Sequence, residues 1–152
     1  MSALRVLIDG ASALLEDDEG ASLAEIARRA GATRIVIGCS DGRCGSCRAI
    51  VDGALVATCK LGISDVIEGS TIVTATSLDS TAAARAALAA FAIERPTRCK
   101  MCVGALAVTA SELARELERG GDREAVTERL LEGATCMCTG RGSWRRALLL
   151  VR

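Results

Sequence analysis

Apolar and polar residues alternate with a short period in the first half of the chain and follow a helical period after about residue 76. Leu4-Arg5-Val6-Leu7-Ile8 reads as a strand, and Asp9-Gly10 as its turn. Ala13 to Glu16 predicts a second short strand. Ser22-x-x-Glu25 is a capping box, in which serine and glutamate satisfy each other's backbone donors. It opens a helix with Leu23, Ile26 and Ala27 inward, ending near Gly31. Thr33 to Ile37 is rich in β-branched residues and leads into a loop dense in glycine and cysteine. Residues 48–51, Asp52-Gly53 and residues 54–58 have the pattern of a hairpin. Residues 70–74 read as a closing strand.

Beyond the switch, Ser80 or Thr81 can cap a helix through Glu94, with Ala84, Leu88 and Phe91 on one side and Pro96 as its stop. A second helix carries Leu106, Leu113 and Leu117 and ends at Gly120-Gly121. Asp122 caps a third, with Val126, Leu130 and Leu131 inward and Gly133 as its stop. Ser143 is read as the start of a last helix, Trp144 to Val151. The change of period predicts an α+β chain of two units, residues 1–77 with strands and one helix, and residues 78–152 with helices. Asp17-Asp18-Glu19 reads as a solvated turn.

Composition sharpens this picture. Half of the 152 residues are apolar, yet Phe91 and Trp144 are the only aromatics, so any core is built from Ala, Val, Leu and Ile. Units of this size bury little and often need staples or metals. Lys and Arg number 19 and so do Asp and Glu, which leaves no basic stripe for nucleic acid. No run of about 18 apolar residues suggests a membrane span. Residues 1–10 lack a basic-then-apolar leader, so a cytoplasmic location is expected, and clustered thiols there read as metal ligands before disulfides. Histidine is absent, which excludes His-ligated zinc, Rieske centres and histidine acid–base catalysis.

The remaining chemistry is sulfur. Eight cysteines form two quartets, Cys39-x4-Cys44-x2-Cys47-x11-Cys59 and Cys99-x2-Cys102-x33-Cys136-x-Cys138. The first has the plant-type spacing of a [2Fe–2S] cluster. Such a cluster carries two net negative charges when oxidised and three when reduced, so it needs backbone N–H groups and cations around it. Gly42 and Gly45 let the loop curl, and Arg43, Arg48 and Lys60 flank the ligands. The second quartet, by spacing alone, suits iron–sulfur or structural zinc, or a redox dithiol at Cys99 and Cys102.

Together the quartets resemble the small iron–sulfur subunit of the xanthine oxidase family of molybdenum hydroxylases. The likeness rests on Gly38-Cys39, Gly42-x-Cys44-Gly45-Ser46-Cys47, Val51-Asp52-Gly53, Cys99-x2-Cys102 and Cys136-x-Cys138-Thr139-Gly140. It implies an N-terminal plant-ferredoxin-like β-grasp domain and a C-terminal four-helix domain. It implies that Cys39, Cys44, Cys47 and Cys59 hold a cluster facing FAD, and that Cys99, Cys102, Cys136 and Cys138 hold one nearest a molybdenum–pterin cofactor. Those cofactors would sit on two partners, one a large molybdenum–pterin subunit, the other a medium FAD subunit, in a heterotrimer able to dimerise. The stretch Arg98 to Ala105 departs from the family's Gln-Cys-Gly-x-Cys-Thr-Pro-Gly. It keeps a second reading open, an electron-transfer subunit or ferredoxin for a flavin dehydrogenase without molybdenum. A third is a zinc-structured interaction module.

Overall fold

The computed structural model describes residues 3–94, 101–133 and 140–152. Its sheet comprises β1 (Ala3–Ile8), β2 (Ala11–Glu16), β3 (Arg48–Val51), β4 (Ala54–Ala57) and β5 (Thr71–Val73), in the order β2-β1-β5-β3-β4. β1 runs parallel to β5, with Ile8 opposite Ile72, and the other pairings are antiparallel. The helices are α1 (Leu23–Arg29), α2 (Ala75–Leu78), α3 (Ala82–Glu94), α4 (Val103–Glu118), α5 (Arg123–Leu131) and α6 (Gly140–Leu149).

Both hairpin turns are set by Asp-Gly pairs. Asp9 and Asp52 have φ of 50° and 48°, and Gly10 and Gly53 follow at 83° and 84°. Two consecutive left-handed residues match the right-handed twist of the flanking strands. The aspartates also reach across the fold. Asp9 accepts from the Thr74 N–H (2.8 Å), the Thr74 hydroxyl (2.6 Å) and the Ser77 hydroxyl (2.7 Å), fastening the β1–β2 turn to α2. Asp9→Ala is expected to cost about 2–3 kcal/mol, from stranded donors and an alanine held at positive φ. Urea unfolding checks this; a loss below about 0.5 kcal/mol would mean the network adds nothing.

The alternation of the strands sorts side chains onto two faces. Val6, Ile8, Leu15, Ala49, Val51 and Ile72 pack under Leu23, Ala24, Ile26 and Ala27 of α1. The capping box predicted at its start is present, with the Ser22 N–H donating to Glu25 (2.7 Å) and the Glu25 N–H to Ser22 Oγ (3.3 Å). On the opposite face, Ile50 and Leu55 pack against Ala75, Ala84, Ala107 and Val108. The sheet is therefore covered on one side by α1 and on the other by the helical part. That part has its own core around Phe91, Leu106, Leu113, Leu130, Trp144 and Leu148.

Two details differ from the sequence-based expectation. The short helix α2 spans the predicted boundary between residues 77 and 78, capped by Thr74, whose hydroxyl accepts from the Thr76 N–H. Helix α6 begins at Gly140 rather than at Ser143. Ser143 lies on a buried stripe with Trp144, Ala147 and Leu148, and packing of that stripe outweighs serine's preference for a cap. Among the described residues, no helix is long and apolar enough to cross a membrane.

Candidate metal centre

The hairpin β3–β4 builds half of the first site. Arg48 and Ala57 are paired at its open end, so Cys47, just before β3, lies beside Cys59, in the 3₁₀ turn Thr58–Lys60 that follows β4. The Thr58 hydroxyl donates to the Cys47 carbonyl (2.7 Å), locking the two ends together. The other half is the loop from Gly38 to Ser46, which turns through Gly42 and Gly45 at φ of 78° and 73°.

Ser46 holds that loop in shape. It is 1% exposed; its hydroxyl donates to the Val36 carbonyl (2.9 Å), accepts from the Gly38 N–H (2.9 Å) and lies 3.0 Å from Cys44 Sγ. In the sequence this serine stands only as part of the Gly45-Ser46-Cys47 motif, with no role of its own; its place between two cysteines of a tight loop is the signal for one.

The thiols stand in two pairs. The Cys44 N–H donates to Cys39 Sγ (3.4 Å) and the Cys59 N–H to Cys47 Sγ (3.4 Å). The Ser46 N–H donates to Cys44 Sγ (3.5 Å). Cys44, Cys47 and Cys59 are buried and Cys39 is half-buried; none of the four is in a disulfide. Burial, reinforced by the Cys47 thiol and by Cys39, pushes Cys59 up to about 12. At Cys39 burial also works upward, but the backbone N–H groups of Cys44 and Asp41 outweigh it and leave the thiol below its usual range. The site thus has N–H groups aimed at sulfur and, at Cys59, a proton that a bound metal would displace.

Among the described residues, no group of three or more His, Cys, Asp or Glu side chains is arranged to hold a single metal ion. Two thiol pairs with N–H donors suit a binuclear iron–sulfide group, in which each iron takes two thiolates. The donor set of residues 39–59 fits such a group.

Of the predicted second quartet, Cys99, Cys136 and Cys138 lie outside the described residues. Cys102 is the N-cap of α4 and is 4% exposed. It belongs to the same apolar cluster as Trp144, whose buried Nε1–H has no hydrogen-bond partner among the described residues. An unspent buried donor is costly unless something accepts from it.

The segment around Cys102 lies against the first cysteine loop. A Cβ built on Gly38 would lie 2.9 Å from Met101 Sδ and 3.1 Å from Cys44 Sγ. Both sulfurs therefore border the space that Gly38 leaves open. Next along α4, Gly104 approaches the Arg34 carbonyl so closely that a Cβ would sit 3.2 Å from it. The start of α4, carrying Cys102, is packed against the segment that enters the first loop.

A mixed sheet bearing a paired-thiol loop defines an iron–sulfur domain of ferredoxin type, and residues 6–72 match the family model for a 2Fe-2S iron-sulfur cluster binding domain. The chain is 34% identical over 108 residues to the nicotine 6-hydroxylase small subunit of Paenarthrobacter nicotinovorans, an alignment that spans 71% of this chain and 63% of that one. It is 30% identical over 101 residues to a subunit of nicotinate dehydrogenase from Pseudomonas putida, spanning 66% and 62%. The match thus covers less than two thirds of those relatives' length. Against the crystal structure of quinoline 2-oxidoreductase from Pseudomonas putida 86, the fold aligns with a TM-score of 0.71 and 30% identity, over 97% of this chain and 90% of that one. The chain belongs to the family of small iron–sulfur subunits of the molybdenum hydroxylases, and these relatives are oxidoreductases or subunits of them.

Proposed function

We propose that this chain is the electron-transfer subunit of a molybdenum hydroxylase and holds two [2Fe–2S] clusters, relaying electrons from a molybdenum–pterin site to FAD. Cys39, Cys44, Cys47 and Cys59 ligate the cluster of a ferredoxin-like domain, residues 1–77. Cys99, Cys102, Cys136 and Cys138 ligate that of a four-helix domain, residues 78–152. The molybdenum–pterin and FAD groups belong to a large and a medium partner subunit, in a cytoplasmic complex where thiols stay reduced.

One observation carries the reading. Met101, next to Cys102, and Cys44 both border Gly38, so the segment around Cys102 lies against the first cysteine loop although far from it in sequence. Side-by-side placement is what stepwise electron transfer requires. The backbone N–H groups of Cys44, Ser46 and Cys59, donated to the sulfurs of Cys39, Cys44 and Cys47, are suited to stabilise the charge that the cluster gains on reduction.

The test is purification of the tagged chain with its partners, followed by mass spectrometry and metal analysis. About four irons per chain are expected, with molybdenum and flavin in the complex. Flavin without molybdenum would move the reading to a flavin dehydrogenase, for which the altered stretch Arg98 to Ala105 is the sequence motive. A colourless, zinc-loaded chain would overturn both.

A further inference from the structure

We infer that Arg48 is a positioning residue shared by the two halves of the chain: its guanidinium is the buried counter-charge of the 39–59 site, and its hydrogen bonds hold the end of α5 against that site. The inference rests on the function proposed above.

Arg48 follows Cys47 directly, at the first position of β3, and is 8% exposed. Its guanidinium donates to Thr109 Oγ1 on α4 (3.1 Å) and to the carbonyls of Leu130 (2.6 Å) and Glu132 (2.7 Å) at the end of α5. None of these partners is a carboxylate. No ion pair among the described residues includes Arg48. The buried carboxylate of the same cavity, Glu112, is engaged by Arg115 at 3.0 and 2.6 Å. Residues 95–100 and 134–139 contain no Asp or Glu.

Arginine is rarely buried without a counter-charge, because desolvating a cation is expensive. The carbonyls at the C-terminal end of α5 carry only the partial negative charge of a helix terminus. A four-thiolate cluster, with two or three net negative charges, is the anion that the neighbouring residue Cys47 would help to bind. The same geometry explains why arginine rather than lysine stands here. Its planar fork reaches two carbonyls and a hydroxyl at once while remaining charged. The α5 end is also drawn close to the loop, since a Cβ on Gly133 would lie 3.4 Å from the Gly42 carbonyl. In sequence, Cys136 and Cys138 follow shortly after Gly133.

The experiment is a redox titration of the purified complex, followed by low-temperature EPR, with Arg48→Gln and Arg48→Lys beside the parent chain. The signal of the 39–59 site is assigned by its loss in Cys47→Ser. Arg48→Gln is expected to make reduction of that cluster about tenfold less favourable, a fall in midpoint of about 59 mV for a one-electron couple, while Arg48→Lys stays within about threefold of the parent. Both variants are expected to unfold at lower temperature, because neither rebuilds the three hydrogen bonds. A midpoint unchanged in Arg48→Gln, or shifted as far in Arg48→Lys, would overturn the inference. If Arg48→Gln does not take up iron, Arg48→Lys decides: an unshifted midpoint supports the role, a shifted one removes it. A parent complex without iron–sulfur signals would instead defeat the proposed function itself.

Discussion

Replacing Cys47 by serine is expected to remove one of two [2Fe–2S] EPR signals and to leave about two irons per chain in place of about four. Cys47 is 1% exposed and sits in the apolar core with Ala49, Val51 and Ile72. Its sulfur accepts the Cys59 N–H, and its carbonyl accepts the Thr58 hydroxyl, so the residue joins the two strands of the hairpin. A serine oxygen is harder and shorter than a thiolate and does not replace it at a soft iron site. Stability falls too, since binding free energy in a metal-dependent unit is folding free energy. A loss of about 3 kcal/mol lowers the unfolding midpoint by roughly 6–12 °C in a chain of this size. Retention of both signals and of all the iron would remove Cys47 from the ligand set.

A larger side chain at Gly38 is expected to empty the same site by a different route. The Cβ of Gly38→Val would lie 2.7 Å from Ser46 Oγ as well as close to the two sulfurs. Met101 can move aside, being long and unbranched. Ser46 cannot, because its hydroxyl is held by Val36 and Gly38 in a buried position. Overpacking of this kind costs about 1–3 kcal/mol, and here the strain falls on the loop that carries Cys39 and Cys44. Circular dichroism is expected to show a folded chain, and iron analysis the loss of about two irons. Gly62→Ala is the control, since the nearest atom to its new Cβ is Ser64 Oγ at 3.9 Å. Full iron content in Gly38→Val would mean that the loop tolerates displacement of Ser46.

Much of this was legible in the sequence, because it is local. The Asp-Gly turns, the Ser22–Glu25 capping box, Thr81 and Asp122 at helix starts and the cysteine spacing depend on residues a few positions apart. Thr81 and Asp122 accept the Ala84 and Ala125 N–H groups as expected. Trp144 is a core residue, 0% exposed, as its size suggests, but no sequence pattern shows that its Nε1–H lacks a partner among the described residues. Arg48 was recognised only as a cation beside a ligand. That its side chain runs to Leu130 and Glu132, more than 80 positions away, depends on how α4 and α5 lie on the sheet, and no local pattern records that. The same holds for the parallel pairing of β1 with β5 and for the meeting of Met101 with Gly38. The short helix α2 escaped notice because four residues are too few to display a period.

The two-sided strand β3 has a consequence for how such chains are inherited. Ala49 and Val51 belong to the core under α1, whereas Ile50 belongs to the one shared with Ala84, Ala107 and Val108. A gene shortened to its first 77 codons would therefore encode a sheet with one face stripped of its cover, and with Arg48 deprived of every partner on α4 and α5. Recombination that moved this ferredoxin-like segment into a new protein would have to carry the helices along or repaint that face with polar residues. The pair of halves, rather than either alone, is the piece that can change hands.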